Sequence, residues 1–320
     1  MRNFLFLSGV SLFLSSCYIE VTDSHHHDYN SNENTPFTQI TINQSLSYNR
    51  ALLLSGYAMQ LYTLSNQPHQ LAVIANNDNL LNKSVLMTNL IDGDMLGIQS
   101  NDFKYNSINN ICDYGSVAVS NNQTPYFDRY TLNNQVFDEY EGDFTFYTQN
   151  KCDITNSHST QYTPSILDGA LNYNIYFKNY ISNQNSPQTD ELIATISGNW
   201  SLENDNLGYW DIDHFQSQVT YQHFDDQIVW TEFSSNLSIH DHSRKIEGNL
   251  SIHTQNTLQT ELGIIHPYSG SIIIQDGRTN NQLELKVYLD SVDIYVNGRI
   301  LFQYIKWDDI IAAQSYFGLD

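Results

Sequence analysis

The chain has 320 residues, of which 35 are acidic and 13 are basic, so its formal net charge at pH 7 is −22. This balance argues against binding of nucleic acid and of anionic lipid headgroups, because both need clustered Lys and Arg. Hydrophobic residues make up 40% of the chain, which is enough to build a core.

The N-terminus has the layout of a bacterial export signal. Arg2 gives a positive start, residues 4–14 are almost wholly apolar, and residues 14–17 are Leu-Ser-Ser-Cys. The apolar run is too short to cross a bilayer as a helix. A cysteine after two small residues resembles the lipobox of bacterial lipoproteins, which implies a signal peptide at residues 1–16 and a lipid on Cys17. The alternative is an ordinary signal peptide with an incidental cysteine.

The residues after Cys17 indicate a cellular location and a flexible linker. Tyr18 and Ile19 stand where resemblance to enterobacterial lipoproteins would place an Asp for inner-membrane retention. We therefore expect an outer-membrane lipid anchor with the body facing the periplasm. Residues 17–35 are polar and are predicted to form a flexible tether. Their three adjacent histidines, residues 25–27, could bind a transition metal, although such runs are more often solvated linker.

Residues 36–107 are predicted to be a helical segment that packs on a sheet. A first helix is indicated by apolar residues at helical spacing, namely Leu46, Leu53, Tyr57, Leu61 and Leu64. Ser45 is a candidate N-cap and Pro68 a candidate end. A second, shorter helix is indicated by Leu80, Leu81, Val85, Leu86 and Leu90. A membrane-lying helix would need more Lys and Arg on its polar side than either segment has.

Two cysteines remain once Cys17 is assigned to lipid. Cys112 and Cys152 form an even pair in an exported protein, which favours a disulfide between them. Closing a loop of that length would stabilise the fold by roughly 4 kcal/mol in the chain-entropy model. Two free thiols acting as metal ligands or redox groups are the alternative, but neither a CxxC spacing nor a nearby His pair supports it.

Residues 108–320 are predicted to be an antiparallel β domain. Gly followed by alternating apolar residues recurs and indicates a turn followed by a strand. The glycines are Gly115, Gly142, Gly169, Gly198, Gly248 and Gly270. The expected fold is mainly β, a large antiparallel sheet with a small helical N-terminal segment. A sandwich, a closed barrel and an open curved sheet all fit the pattern.

The end of the chain gives the clearest strand pattern. Residues 283–289 and 292–296 alternate, Asn297-Gly298 is typical of a type I′ hairpin turn, and residues 300–305 return. With residues 271–275 they predict a four-stranded meander. A short helix from Asp308 is expected to cover an edge or one end of the sheet.

Several of these features together resemble a family of uncharacterised proteobacterial lipoproteins. They are the lipobox, residues 112–116 with the pattern Cys-x-x-Gly-Ser, Cys152, and residues 267–270 with the pattern Pro-x-Ser-Gly. The resemblance spans residues 105–310. It implies an envelope lipoprotein with a β-rich body, and it supplies no activity.

No familiar catalytic or cofactor motif occurs in the sequence. Gly-x-Ser-x-Gly, His-Glu-x-x-His, the phosphate loop, the dinucleotide fingerprint and the EF-hand are all missing. No cofactor is therefore expected. The weak candidates for a metal or carboxylate site are Asp211, Asp213, Asp225, Asp226, His240 and His242. They would have to converge in space, and acidic and His residues at turns are mostly solvated.

Three functions follow as hypotheses. The leading one is a lipid-anchored, non-enzymatic binding or structural module whose partner is a protein or glycan of the envelope. The second is a carrier of lipid or lipoprotein, which predicts an apolar cavity between residues 45–90 and the sheet. The third is a protein that binds or hydrolyses envelope glycans with its aromatic and acidic side chains, since the chain has 22 Tyr and 15 Phe. Tyr packed across strands is the structural alternative for those aromatics.

Overall fold

The structure, a computed structural model, describes residues 36–77, 114–123, 126–133, 135–153, 166–181, 187–204, 208–222, 228–261 and 266–314. The described residues belong to one compact unit, Pro36–Leu319. The predictions for the signal peptide, Cys17, the tether, the second helix, Cys112, Asp225 and Asp226 lie outside the described residues.

The described chain forms thirteen strands and two helices. In chain order they are β1 (Thr38–Gln39), α1 (Tyr48–Asn77), β2 (Tyr114–Asn121), β3 (Tyr126–Leu132), β4 (Gln135–Asp153), β5 (Ile166–Ile181), β6 (Pro187–Asn204), β7 (Gly208–Gln222), β8 (Ile228–Asp241), β9 (Ile246–Glu261), β10 (Ser269–Asp276), β11 (Gln282–Val287), β12 (Ser291–Val296), β13 (Arg299–Lys306) and α2 (Trp307–Gln314).

All thirteen strands belong to one sheet, in which β4 to β13 are neighbours in chain order. The two ends of this sheet, β13 and the β2–β3 pair that shares an edge of β4, are not paired with each other. The predicted mainly antiparallel β fold is confirmed, and the sheet is open rather than a closed barrel. β1 is the exception in direction, because it pairs in parallel with the start of β9.

The central strands are longer than the glycine pattern predicted. Gly142 and Gly198 lie inside β4 and β6, so their assignment to turns before strands is wrong. Gly198 has φ +146° at a register shift between β6 and β7. A Cβ there would lie 2.1 Å from the carbonyl oxygen of Ala170. This glycine therefore permits close approach of two backbones within the sheet.

The C-terminal meander follows the sequence prediction. β10 to β13 are consecutive antiparallel neighbours. Asn297 and Gly298 both have positive φ, as a type I′ turn requires. The following helix begins at Trp307, whose ring is buried and stacks on His266 with 4.7 Å between ring centroids.

Helix α1 begins and ends later than predicted. Ser47, not Ser45, is the N-cap, because its Oγ accepts a hydrogen bond from the N–H of Arg50. The predicted end at Pro68 is wrong, since the helix continues to Asn77. A proline inside a helix costs about 3 kcal/mol. The turns before Pro68 are held in place, because residues 53–62 are all buried.

Alternation along the strands gives the sheet two distinct faces. The core face carries large buried side chains that pack together with α1, which contacts β5 to β8 and β10 as well as α2. The largest of them include Trp200, Tyr173, Tyr221, Phe146, Phe177 and Phe215. The residues between them point to the opposite, outer face. Among the described helices, none is long and apolar enough to cross a membrane.

Candidate functional site

A groove of about 460 Å³ lies on the outer face across the middle strands. Its outer-face lining comes from four neighbouring strands, β6 to β9. These residues are Thr195, Ser197, Gln216, Gln218, Glu232, Ser234 and His253. We call this set the groove. Most of them lie between two buried residues of their strand, so the same alternation that builds the core positions the groove.

Two irregularities of the sheet meet at the groove. The register shifts between Asp213 and Gln216 in β7 and between Thr231 and Ser234 in β8. At the second shift the N–H of Phe233 donates to Thr254 Oγ1 at 3.2 Å. Extra residues in one strand bend the sheet and increase its local twist. The groove therefore coincides with two irregularities of the strand pairing.

The chemistry of the groove is polar but largely uncharged. All of its outer-face residues except Glu232 and His253 carry a hydroxyl or a carboxamide. Each hydroxyl can donate one and accept two hydrogen bonds, and each carboxamide donates two and accepts two. Glu232 accepts a hydrogen bond from Thr257 Oγ1. Among the described residues, neither Lys nor Arg lines this groove.

A second depression of about 240 Å³ lies further along β6 and β7. We call it the side pocket, and its polar and charged lining residues are Lys151, Asp168, Ser201, Glu203, Tyr209 and Asp211. Asp168 Oδ1 accepts a hydrogen bond from Thr148 Oγ1 at 2.9 Å. Asp211 Oδ1 accepts one from Ser201 Oγ. Two carboxylates are thus oriented by hydroxyls of neighbouring strands.

Among the described residues, the structure does not gather the predicted candidates Asp211, Asp213, His240 and His242 into one cluster of metal ligands. Within the described ranges, no group of three or more His, Cys, Asp and Glu is arranged to hold a metal ion. Asp211 faces the side pocket. His240 Nδ1 lies 3.1 Å from Glu247 Oε2. The rings of His240 and His242 are edge to face, with 5.0 Å between their centroids. Asp213 lies at the register shift between β7 and β8, where its carbonyl oxygen accepts a hydrogen bond from Ser235 Oγ at 3.0 Å.

His240 belongs to a stack of rings on the outer face. Phe37 stacks on it at 4.0 Å and Tyr209 at 5.2 Å between ring centroids. Glu247, which pairs with His240, also accepts a hydrogen bond from the side-chain amide of Gln39. Phe37 and Gln39 come from β1 and the residue before it, so this stack fastens the start of the described chain to the sheet.

Cys152 is fully buried on the core face and is disulfide-bonded. The proposed partner, Cys112, lies outside the described residues, so this pairing stays a prediction. The carrier hypothesis also stays a prediction. Neither the groove nor the side pocket lies between α1 and the sheet, because both are on the outer face.

Sequence reasoning missed the groove. Gln216, Gln218, Thr195 and Ser197 were absent from the candidates, because neutral polar residues on a strand look the same whether they line a groove or a plain surface. The available signal was alternation in residues 215–221, where Phe215, Val219 and Tyr221 are buried and the glutamines between them are exposed. Nothing in the sequence marked the two register shifts that coincide with the groove.

Comparison with known proteins adds no relative to this description: no family model, curated protein or solved structure matches the chain.

Proposed function

We propose that the protein is a lipid-anchored lipoprotein of the bacterial cell envelope that binds a glycan on the outer face of its sheet. The N-terminal residues support the anchor, because Leu-Ser-Ser-Cys follows an apolar run. The groove supports the ligand class. The protein acts here as a binding module, and the groove residues hold the ligand without reacting with it.

The observation that carries the ligand class is the lining of the groove. A sugar presents hydroxyls that both donate and accept hydrogen bonds, and the hydroxyl and carboxamide side chains do the same. Gln216 and Gln218 lie on the same face of β7, two residues apart, and both are exposed. Their carboxamides match an acetamido group as well as hydroxyls, which favours glycans built from N-acetylated amino sugars.

Charge argues against the other common classes of ligand. A phosphate or anionic lipid would need cations, and the chain has a net charge of −22. An acyl chain would need an apolar lining, whereas most of the outer-face residues of the groove carry a hydroxyl or a carboxamide. A neutral, hydroxyl-rich molecule is the class that leaves the fewest of these groups unpaired on binding.

The groove is tested by replacing Gln216 and Gln218 together with Ala and titrating the full-length protein in detergent with N-acetylglucosamine oligosaccharides by calorimetry. Loss of the hydrogen bonds from two carboxamides should weaken binding by about tenfold or more. Gln303→Ala is the matched control, because Gln303 is an exposed glutamine on β13. Equal affinities for all three proteins, or no binding by the wild type, would reject the ligand assignment.

The anchor is tested separately in cells. Cys17→Ser should move the protein from the membrane fraction to the soluble fraction, because the lipid chains attached to that cysteine are lost. Globomycin, which inhibits the lipoprotein signal peptidase, should make the unprocessed precursor accumulate. A Cys17→Ser protein that remains in the outer-membrane fraction would contradict the proposed anchor.

A further inference from the structure

The groove and the side pocket lie on the same face of the same two strands. Ser197 in the groove and Ser201 in the side pocket are four residues apart on β6. At about 3.3 Å per residue the two depressions are roughly 13 Å apart along the strand. That separation is more than one sugar ring covers and is readily bridged by a short chain of rings.

The side pocket has a rigid aromatic wall. Tyr209 is 39% exposed, and its ring lies nearly parallel to that of His240, at an interplanar angle of 15°. His240 is held in turn by Phe37 and Glu247. An exposed tyrosine whose orientation is fixed in advance offers an apolar face and a polar tip at low entropic cost. Such a face fits the C–H side of a sugar ring.

The opposite wall is formed by an unusual stretch of β4. Between Tyr147 and Cys152, β4 has four residues, whereas β5 has two between their partners Ala170 and Leu167. Asn150 and Lys151 both have positive φ, 60° and 54°. Residues other than glycine rarely adopt this backbone conformation, and such residues cluster at functional sites. Here it brings Lys151 to the side pocket.

The carboxylates of the side pocket can act as hydrogen-bond acceptors for a ligand. Asp168 and Asp211 each accept one hydrogen bond from a hydroxyl of a neighbouring strand. An ionised carboxylate can accept about four hydrogen bonds, so each has capacity for sugar hydroxyls. The groove by contrast consists mainly of hydroxyls and carboxamides. The two depressions therefore offer different but compatible hydrogen-bonding groups to successive parts of one chain.

From this geometry we infer that the side pocket is a second subsite for the same glycan, so that the ligand is an extended chain lying along β6 and β7 and not a single sugar. This inference rests on the proposed function. Tyr209 supplies the stacking platform of the second subsite, and Asp168 and Asp211 accept hydrogen bonds from the sugar that stacks there.

The experiment is a length series. The full-length protein is titrated with N-acetylglucosamine oligomers from the disaccharide to the hexasaccharide. Affinity should rise by about tenfold at the length that reaches the second subsite, because the added contacts come with little further loss of translational freedom. Tyr209→Ala should remove this rise, so that the longer oligomers bind this variant no more tightly than the disaccharide does. Asp211→Asn, which keeps the shape of the side chain, should reduce the rise.

Tyr288→Ala is the matched control, because Tyr288 is exposed to a similar degree, 45%, and lies far from both depressions, in the turn between β11 and β12. It should bind every oligomer as the wild type does. Affinity that does not depend on length, or an equal loss for all lengths in Tyr209→Ala, would overturn the second subsite while leaving the groove in place. Failure of the wild type to bind any oligomer would overturn both proposals.

Discussion

The two faces of the sheet are built from the same strands and have opposite chemistry. On β6, Leu192, Ala194 and Ile196 are buried on the core face, whereas Thr195 and Ser197 line the groove on the outer face. The core face stabilises the fold by removing apolar surface from water. The outer face contributes little to that burial, so its residues can be specified by a ligand. A substitution should therefore affect stability where its position faces the core, and binding where its position faces outward.

The largest expected effect is on the core face. Ile175 is 1% exposed on β5, and Ile193 is 40% exposed on the neighbouring β6. Ile175→Ala should lower the free energy of unfolding by about 2–5 kcal/mol, because it removes buried methyl groups and leaves a cavity. Ile193→Ala should change it by no more than about 0.5 kcal/mol. Urea unfolding followed by circular dichroism measures both values.

Ile175 and Ile193 are the same type of residue and lie on opposite faces of the sheet. Ile175 pairs across the strands with Ala194, which is next to Ile193 in sequence. A cost for Ile193→Ala as large as that for Ile175→Ala would show that the outer face is covered by another part of the protein. In that case the division between stability and binding would be wrong.

The next effect concerns the disulfide on the core face. Cys152→Ala should lower the free energy of unfolding by about 2–4 kcal/mol, because a cross-link restricts the unfolded chain. Dithiothreitol should destabilise the wild type and leave the variant unchanged. Thermal unfolding with and without reductant measures both effects.

The same experiment identifies the partner of Cys152. If the bond joins Cys112 to Cys152, Cys112→Ala should lower the free energy of unfolding as much as Cys152→Ala does. The double variant should then be no less stable than either single variant. Full stability of Cys112→Ala would contradict the pairing inferred from the sequence.

The class of the fold could be predicted because the helical spacing and the strand alternation of apolar residues are each visible within a short stretch of sequence. The alternation over residues 283–296 and the turn at Asn297-Gly298 were enough to predict β11, β12 and β13. The lengths of β4 and β6 could not be predicted, because Gly142 and Gly198 look like turn residues until the neighbouring backbone is known. Whether the sheet closes depends on its two end strands, which share no local signal in the sequence.

The site could be predicted less well, because a binding surface depends on curvature. Asp211 was a candidate for its charge and does line a depression, the side pocket, but without metal-ligand partners among the described residues. Gln216 and Gln218 gave no signal, although they lie in the groove. Register shifts at Asp213 and Thr231 coincide with this surface, and they arise from pairing between strands rather than from either strand alone.

The smallest expected change in the free energy of unfolding concerns a contact at the point where the chain passes from one face of the sheet to the other. Phe37 is on the outer face and α1 on the core face, and between them the N–H of Ile42 donates to Asp276 Oδ2 at 3.0 Å. Asp276 also accepts hydrogen bonds from the N–H and Oγ1–H of Thr279 and from the N–H of Arg278. Its carboxylate thus ties the segment before α1 to the turn after β10.

Asp276→Asn should lower the free energy of unfolding by about 1–3 kcal/mol, because an amide nitrogen replaces one accepting oxygen and leaves a buried donor unpaired. Burial raises the pKa of Asp276, but the hydrogen bonds outweigh burial and hold its pKa below the usual 3.8. The ionised group therefore stabilises the fold above the pKa of the unfolded chain, and this contribution is lost as pH falls through the lower pKa of the folded state.

The difference in the free energy of unfolding between wild type and Asp276→Asn should therefore be larger at about pH 7 than at about pH 3. Urea unfolding at both pH values measures it. Asp290→Asn is the control, because Asp290 is exposed in the turn after β11 and should show a small difference at both pH values. A difference for Asp276→Asn that grows on acidification would contradict the role of the ionised carboxylate. The segment before α1 would then be held by the pairing of β1 with β9 and by the packing of Ile40 and Ile42 on the core face, without a contribution from the charge of Asp276.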